Sequence, residues 1–123
     1  MDPKLLSGGD LAFLGDAYYE LAIRKYVLGK EITSLYKLHD ECVKYVSRDA
    51  QYKIVTILYD ELSEEEQEIF RRGRNYSYKT KTVEYIHASG FEAVIGHLYL
   101  TSNFERLEYI IDKAIKIIEE NNE

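Results

Sequence analysis

Apolar residues recur every three or four positions along almost the whole chain, and this period constrains the fold more than any other feature. Such spacing places apolar side chains on one face of an α-helix, whereas a half-buried strand needs sustained alternation of apolar and polar residues. The single proline and the seven glycines also argue against a turn-rich β-fold. We therefore predict an all-α fold of several packed helices.

The length of 123 residues, of which 46% are hydrophobic, allows one domain with a real core and is too short for two ordinary domains. The lone Cys42 cannot form an intramolecular disulfide. No secretory signal is visible, and no segment approaches the roughly 20 apolar residues that a membrane span needs. We expect a soluble cytoplasmic protein that does not associate with a membrane.

Six helical segments are predicted from the apolar spacing and the helix caps. They are about Leu11 to Leu28, a second helix capped by Thr33 or Ser34, about Arg48 to Glu61, a helix from a capping box at Ser63 to about Arg72, Val83 to Leu100, and a last helix after Asn103. Leu11 and Leu21 are predicted to face the core from the first helix, and Leu35 from the second. Gly73 is predicted to end the fourth helix, which leaves residues 71–82 as a loop.

Asp16 interrupts an apolar helical stretch, where burial of an unpaired carboxylate would be costly. Glu20 lies one turn later on the same helical face, so the two carboxylates can converge on one cation. In the alternative interpretation, Glu20 pairs with Arg24 at the next turn and Asp16 caps a neighbouring group. The spacing leaves both interpretations open.

Glu92 is a second isolated carboxylate, in a helical segment of small and apolar residues. Mg²⁺ is usually held by one or two carboxylates and keeps several waters, so Asp16 and Glu92 suit a Mg²⁺ site that water and a substrate phosphate complete. Mn²⁺ shares the preference for oxygen and is the alternative metal. A buried ion pair between helices would explain Glu92 equally well.

The net charge of −6 is opposite in sign to the usual footprint of a nucleic-acid-binding protein. Residues 71–82 are nevertheless locally basic. Their polar groups are Arg71, Arg72, Arg74, Asn75, Tyr76, Tyr78, Lys79 and Lys81. Guanidinium groups bind phosphate in a bidentate manner, and amide or tyrosine hydroxyl groups can contact the ribose 2′-hydroxyl. The segment is a candidate RNA-binding loop, with a solvated surface loop as the alternative.

Four sequence blocks follow one another along nearly the whole chain: LAFLGDAYYELAIRKYVL, LHDECVKYVSRDAQ, RRGRN and YIHASGFEAVIGHLYL. Together they resemble mini-ribonuclease III, which is similar to the catalytic domain of ribonuclease III but lacks its separate domain for binding double-stranded RNA. The combination is far more specific than any one block. The resemblance implies a compact ribonuclease III-type catalytic domain over residues 1–123, without a second RNA-binding domain.

The resemblance also implies a function. It implies a homodimer with two active sites, each cutting one strand of double-stranded RNA by Mg²⁺-dependent hydrolysis that leaves 5′-phosphate and 3′-hydroxyl ends. The implied substrate is the precursor of 23S ribosomal RNA in the bacterial cytoplasm. A ribosomal protein that presents this RNA is a candidate further partner.

The same resemblance assigns roles to residues. Asp16 matches the metal-binding aspartate of the LGDA motif, and Glu92 matches the metal-binding glutamate of the FEA motif. Glu20 fits the GDAxYE pattern, either as an outer partner of the metal or as the ion-pair partner of Arg24. The RRGRN segment at residues 71–75 is expected to contact RNA.

The chain departs from the larger ribonuclease III pattern at three positions, because Gly9, Ala12 and Ser89 stand where that pattern carries acids. Fewer protein ligands imply that more of the metal's ligands are waters. Mini-ribonuclease III likewise has fewer acidic ligands than the larger ribonuclease III. Two other functions stay open from the sequence. One is a non-catalytic helical module that binds RNA or assists ribosome assembly, and the other is an acidic dimerisation domain.

Overall fold

The computed structural model describes residues 1–121, which form six α-helices and two short 3₁₀ turns without any strand. The helices are α1 (Gly8–Leu28), α2 (Leu35–Val46), α3 (Arg48–Leu58), α4 (Glu64–Arg74), α5 (Val83–Leu100) and α6 (Phe104–Asn121). The 3₁₀ turns are Pro3–Leu5 and Tyr59–Glu61. The all-α prediction is confirmed. Within the described range, no helix has the length and apolar character that crossing a bilayer demands.

Helix α5 is the centre of the fold. Every residue from 88 to 96 is buried, and α1, α3 and α4 pack around this stretch. Helix α6 packs on α3 and α5 through one apolar face. That face contains Leu107, Ile110, Ile111, Ala114, Ile117 and Ile118, all of which the apolar spacing places inward. The central position of α5 means that a polar side chain on it lies inside the protein.

Helices α1 and α5 approach each other closely because glycines lie at their crossing. A Cβ atom on Gly15 would lie 1.7 Å from the carbonyl oxygen of Glu92, and one on Gly96 would lie 2.1 Å from the carbonyl oxygen of Leu11. No side chain fits between backbones at this separation. Since Asp16 directly follows Gly15, the crossing fixes the position of Asp16 relative to Glu92.

Serine side chains begin several of the helices. Ser63 accepts a hydrogen bond from the backbone N–H of Glu66, whose carboxylate accepts one from the backbone N–H of Ser63. The predicted capping box is therefore confirmed. Ser7 and Asp10 form the same arrangement at the start of α1, so this helix begins three residues before the predicted Leu11.

Gly73 does not end α4, and the sequence-based prediction was wrong at this point. The helix continues to Arg74, while Gly73 is buried against α5, where a Cβ atom would lie 2.6 Å from the Cβ of Ala93. The glycine allows two helices to approach rather than the chain to turn. As a result, Arg71, Arg72 and Arg74 lie in the last turn of a helix instead of in a loop.

The buried face of α1 also differs from the predicted stripe. Leu11 is buried, but Leu21 is largely exposed, and the core side chains instead include Tyr19 and Ile23. In α2, Leu35 was predicted to face inward and is 83% exposed. Both helices therefore present apolar side chains to solvent as well as to the core.

Candidate active site

Asp16 and Glu92 come together where α1 crosses α5. Glu92 is only 3% exposed, whereas Asp16 lies on the exposed side of α1. The expectation that Asp16 is buried was therefore wrong, and it is the solvent-facing member of the pair. The two side chains are close enough for Asp16 to shift the pKa of Glu92. The structure thus brings together the two carboxylates that the sequence singled out on separate helices.

The electrostatic environment of Glu92 is unfavourable to its ionised form. Burial raises the pKa of its carboxyl group to about 8, and the neighbouring Asp16 adds to the rise through a hydrogen bond and through its charge. Arg48 and Gln51 oppose the rise but do not cancel it. With both carboxyl groups ionised, the pair would carry more negative charge than its surroundings neutralise, and a bound cation would supply the missing positive charge.

The residues present fit a hard divalent cation. Asp16 and Glu92 both offer carboxylate oxygens, and the exposure of Asp16 leaves room for waters and a phosphate oxygen in the coordination shell. Among the described residues, no three His, Cys, Asp or Glu side chains form a potential metal-binding cluster.

Two residues of α3 hold the Glu92 carboxylate, and sequence reasoning missed both. Arg48 Nη1 lies 3.2 Å from Glu92 Oε1, and Gln51 Nε2 lies 3.3 Å from Glu92 Oε2. The Gln51 amide also donates to the carbonyl oxygen of Val46 at 2.9 Å, which fixes its own orientation. Each oxygen of the buried carboxylate therefore has one donor from α3.

The position of Gln51 in the apolar pattern of α3 could have identified it from the sequence as a buried polar residue. It is 1% exposed and lies on the same buried stripe of α3 as Val55 and Leu58, so it is a polar residue at a core position. Its Oε1 atom has no hydrogen-bond partner in the part of the chain that the structure describes. A buried amide that is incompletely satisfied costs stability, and here it orients Glu92.

Glu20 is paired with Arg24, as the spacing allowed. Arg24 Nη2 lies 3.1 Å from Glu20 Oε1, one turn along α1. Both side chains border a shallow recess of about 410 Å³ that Asp16 also lines. Glu20 therefore lies beside the Asp16–Glu92 pair, with its charge already balanced by an arginine.

The first two arginines of the RRGRN segment hold α4 in place. Arg71 donates to the hydroxyl group of Tyr59 at 3.0 Å, and Arg72 donates to the carbonyl oxygen of Leu6. A guanidinium group has five N–H donors, so each arginine keeps further N–H donors that are available to a phosphate. Their structural contacts were not visible in the sequence.

Beyond the half-buried Arg74, the polar residues Asn75, Lys79 and Lys81 are open to solvent. Arg74 Nε donates to Asn75 Oδ1 at 3.1 Å, and this asparagine is exposed. Lys79 and Lys81 are also exposed and form no salt bridge within residues 1–121. We call residues 75–82 the basic loop, and its lysines are available to an anionic partner.

Tyrosines hold the basic loop next to the beginning of α1. The ring of Tyr76 packs on Gly9, where a Cβ atom would lie 2.9 Å from the ring, and Tyr76 also packs on Tyr78 with 5.1 Å between ring centroids. Asp16 follows Gly9 by about two helical turns, roughly 10 Å along the axis. The basic loop therefore contacts the same helix that carries Asp16.

Known proteins are similar to this chain over most of its length. The sequence model of the ribonuclease III domain family matches residues 9–103. Mini-ribonuclease 3 of Streptococcus pneumoniae is 42% identical over 126 aligned positions, which cover 97% of this chain and 98% of that protein. Mini-ribonuclease 3 of Thermoanaerobacter sp. is 48% identical over 115 positions, which cover 89% of this chain and 81% of that protein. The crystal structure of protein FN1578 from Fusobacterium nucleatum superposes with a TM-score of 0.82 at 35% identity, covering 91% of this chain and 93% of that one.

Proposed function

The chain belongs to the ribonuclease III domain family and is an endoribonuclease of double-stranded RNA, and we propose that Asp16 and Glu92 form its catalytic centre. Enzymes of this family depend on a metal ion. The observation that carries the assignment is the Glu92 carboxylate, buried beside Asp16 with its pKa raised to about 8. We take residues 1–123 as a single catalytic domain.

Asp16 and Glu92 hold Mg²⁺ in this proposal, with Mn²⁺ as the alternative ion. When bound, the ion lowers the pKa of a coordinated water and draws charge from the scissile phosphate. Gln51 and Arg48 orient Glu92, and the solvent-facing Asp16 leaves the site open to RNA. Glu20 is an outer neighbour of the pair, held by its ion pair with Arg24. Hydrolysis then leaves 5′-phosphate and 3′-hydroxyl ends without a protein nucleophile.

The sugar-phosphate backbone binds to the end of α4 and to the basic loop. The residues proposed to contact RNA are Arg71, Arg72, Arg74, Asn75, Lys79 and Lys81. Support comes from the exposed lysines without salt bridges and from the tyrosine contacts that hold the loop near α1. A local positive patch explains how a chain with a net charge of −6 binds a polyanion.

Replacing Lys79 and Lys81 together with Gln should weaken RNA binding and reduce its dependence on salt. Each phosphate contact releases counterions, so losing two contacts should lower the slope of log affinity against log salt concentration by about 2. The measurement is RNA binding at several KCl concentrations in EDTA, which prevents cleavage. A control with Lys53→Gln and Lys116→Gln changes the net charge equally outside the basic loop. Equal slopes for the two double variants would contradict the proposed binding surface.

Helices α1 and α2 carry an unpartnered apolar face, which we propose is covered by a second copy of the chain. Its members are Phe13, Leu21, Leu28, Leu35 and Tyr36, all largely exposed. A soluble monomer rarely exposes a contiguous apolar surface of this kind. The homodimer implied by the resemblance to mini-ribonuclease III gives this face a partner.

The apolar face has a shape that allows it to pair with a copy of itself in the proposed dimer. It includes a recess of about 670 Å³. The recess is lined by Arg24, Val27, Leu28, Leu35, Tyr36, Leu38, His39 and Cys42. Phe13 precedes Leu28 by about four helical turns, roughly 22 Å. If a twofold axis sets the two α1 helices antiparallel, each Phe13 approaches the recess of the other copy, as an isologous interface requires.

Phe13→Ser should convert the dimer into a monomer, because it removes a large exposed apolar side chain that reaches the recess of the other copy in this interface. Molar mass measured by light scattering after gel filtration checks the change. Ile57→Ser is the matched control, since Ile57 is a half-exposed aliphatic residue of α3 that lies outside the apolar face. A parent protein that is monomeric, or a Phe13→Ser variant that stays dimeric, would refute the proposed interface.

The precursor of 23S ribosomal RNA in the cytoplasm is the proposed physiological substrate, with a ribosomal protein as a candidate partner that presents it. The enzymatic proposal is tested with a labelled RNA duplex in Mg²⁺ or in EDTA, followed by analysis of the product ends. Metal-dependent products with 5′-phosphates support it. Binding without cleavage would favour the non-catalytic RNA module, and the absence of both would favour the acidic dimerisation domain.

A further inference from the structure

Arg48 contacts Glu92 of the Asp16–Glu92 site, and the fold uses only some of the hydrogen-bond donors of its side chain. The side chain is 42% exposed, although it contacts a buried carboxylate. Nη1 bonds to Glu92 Oε1 at 3.2 Å, and the guanidinium makes no other hydrogen bond within residues 1–121. Since a guanidinium has five N–H donors, most of them are available to a further acceptor.

The position of Arg48 is unfavourable for α3 itself. Arg48 is the first residue of the helix, where the helix dipole disfavours a cation. It is not needed to begin the helix, because the Ser47 side chain already accepts a hydrogen bond from the backbone N–H of Ala50 at 3.1 Å. A cation here therefore serves the neighbouring acidic site rather than the helix.

A cation–π contact with Tyr85 restrains the Arg48 guanidinium. Its Cζ atom lies 4.8 Å from the ring centroid of Tyr85, and Tyr85 packs on Tyr78 with 5.4 Å between centroids. Tyr78 belongs to the basic loop. A cation–π contact uses the charge of the guanidinium and none of its N–H donors, so these stay available to an acceptor. Continuous contacts thus connect the basic loop, Arg48 and Glu92.

We propose that Arg48 is a phosphate-binding residue of the active site, which donates to the Glu92 carboxyl group in the metal-free protein and binds an RNA phosphate when Glu92 is engaged by the metal ion. The inference rests on the assignment of Asp16 and Glu92 as the metal-binding pair. Two cations that share one carboxylate repel each other, so the guanidinium then requires another anion. A phosphate of bound RNA is the anion that the substrate brings to this position, and arginine binds phosphate well.

The test compares Arg48→Gln and Arg48→Lys with the parent and with Lys53→Gln. Lys53 is an exposed cation of the same helix that lies with Ile118 on the α6 side, away from Glu92. Steady-state cleavage of an RNA duplex at saturating Mg²⁺ gives KM and kcat. Terbium binding without RNA, followed by emission sensitised by the twelve tyrosines, gives cation affinity. Circular dichroism reports folding.

Arg48→Gln should raise KM about tenfold, with kcat within about threefold of the parent, because a phosphate contact present throughout the reaction contributes to binding. Terbium should bind at least as tightly, since the guanidinium no longer competes for Glu92. Arg48→Lys should raise KM less, which keeps the test valid if Arg48→Gln does not fold. Lys53→Gln should match the parent.

An unchanged KM in Arg48→Gln would overturn the proposal. Weaker terbium binding combined with a fall in kcat would also overturn it, because Arg48 would then act only by positioning Glu92. Glu92→Gln separates this inference from the site assignment. If that variant keeps both terbium binding and cleavage, the assignment of the metal-binding pair itself is wrong.

Discussion

Asp16→Asn is expected to reduce cleavage of double-stranded RNA by about a thousandfold or more while the protein remains folded. The substitution removes one negative charge and one oxygen ligand from a site that has two carboxylates. It also removes the main charge that raises the pKa of Glu92, so this pKa should fall. Folding should persist because Asp16 lies on the exposed side of α1.

The experiment compares single-turnover cleavage and far-ultraviolet circular dichroism of Asp16→Asn with those of Asp112→Asn. Asp112 is an exposed aspartate of α6, so the control loses the same charge at a distance from the site. The control should cleave like the parent. Near-parental cleavage by Asp16→Asn would remove Asp16 from the catalytic centre.

Gly15→Ala is expected to lower the free energy of unfolding by about 3 kcal/mol, because the new methyl group would overlap the backbone of α5. The nearest atom, the carbonyl oxygen of Glu92, would lie 1.7 Å away, and backbone cannot move aside as a flexible side chain does. If the variant folds, α1 must move away from α5 and take Asp16 from Glu92. Cleavage should therefore fall together with stability.

Urea unfolding followed by circular dichroism measures this effect. Gly29→Ala is the control, because Gly29 is an exposed residue at the end of α1 and its nearest neighbour, the carbonyl oxygen of Tyr26, lies 3.2 Å from the added Cβ. The control should change the free energy of unfolding by no more than about 0.5 kcal/mol. A Gly15→Ala variant as stable as the control would mean that the helices do not cross this closely.

Local signals in the sequence were sufficient where one face of a helix meets the core. Helix α6 has a single apolar stripe, and its inward residues were predicted correctly. The capping box at Ser63 and Glu66 depends only on residues three apart, so it was also predicted correctly. In both places, neighbours in sequence determine the structure.

Apolar spacing failed where a helix has two apolar faces. Helix α1 packs on α5 through one side and exposes Phe13 and Leu21 on another, so the spacing alone could not identify the core side. Gly73 failed for a related reason. Its role is close contact with Ala93 of α5, which only the packed fold shows.

Only two of the four residues that form the candidate site were identified from the sequence. Asp16 and Glu92 attracted attention because each is an acid in apolar surroundings, and the fold places them together. Arg48 and Gln51 lie in the block LHDECVKYVSRDAQ, but the block itself assigns them no role, and their contacts with Glu92 depend on how α3 packs against α5. Residues that orient a buried carboxylate from another helix become identifiable only in three dimensions.

The measurement that tests the central claim most directly is cleavage of an end-labelled RNA duplex in Mg²⁺ by Glu92→Gln beside the parent, at equal concentrations of folded protein. Gln keeps the size of the side chain but removes the negative charge that a metal ion requires. We predict products from the parent and none from Glu92→Gln, with the helical content of the two proteins unchanged. Cleavage by Glu92→Gln at the parental rate would contradict the assignment of Asp16 and Glu92 as the catalytic centre.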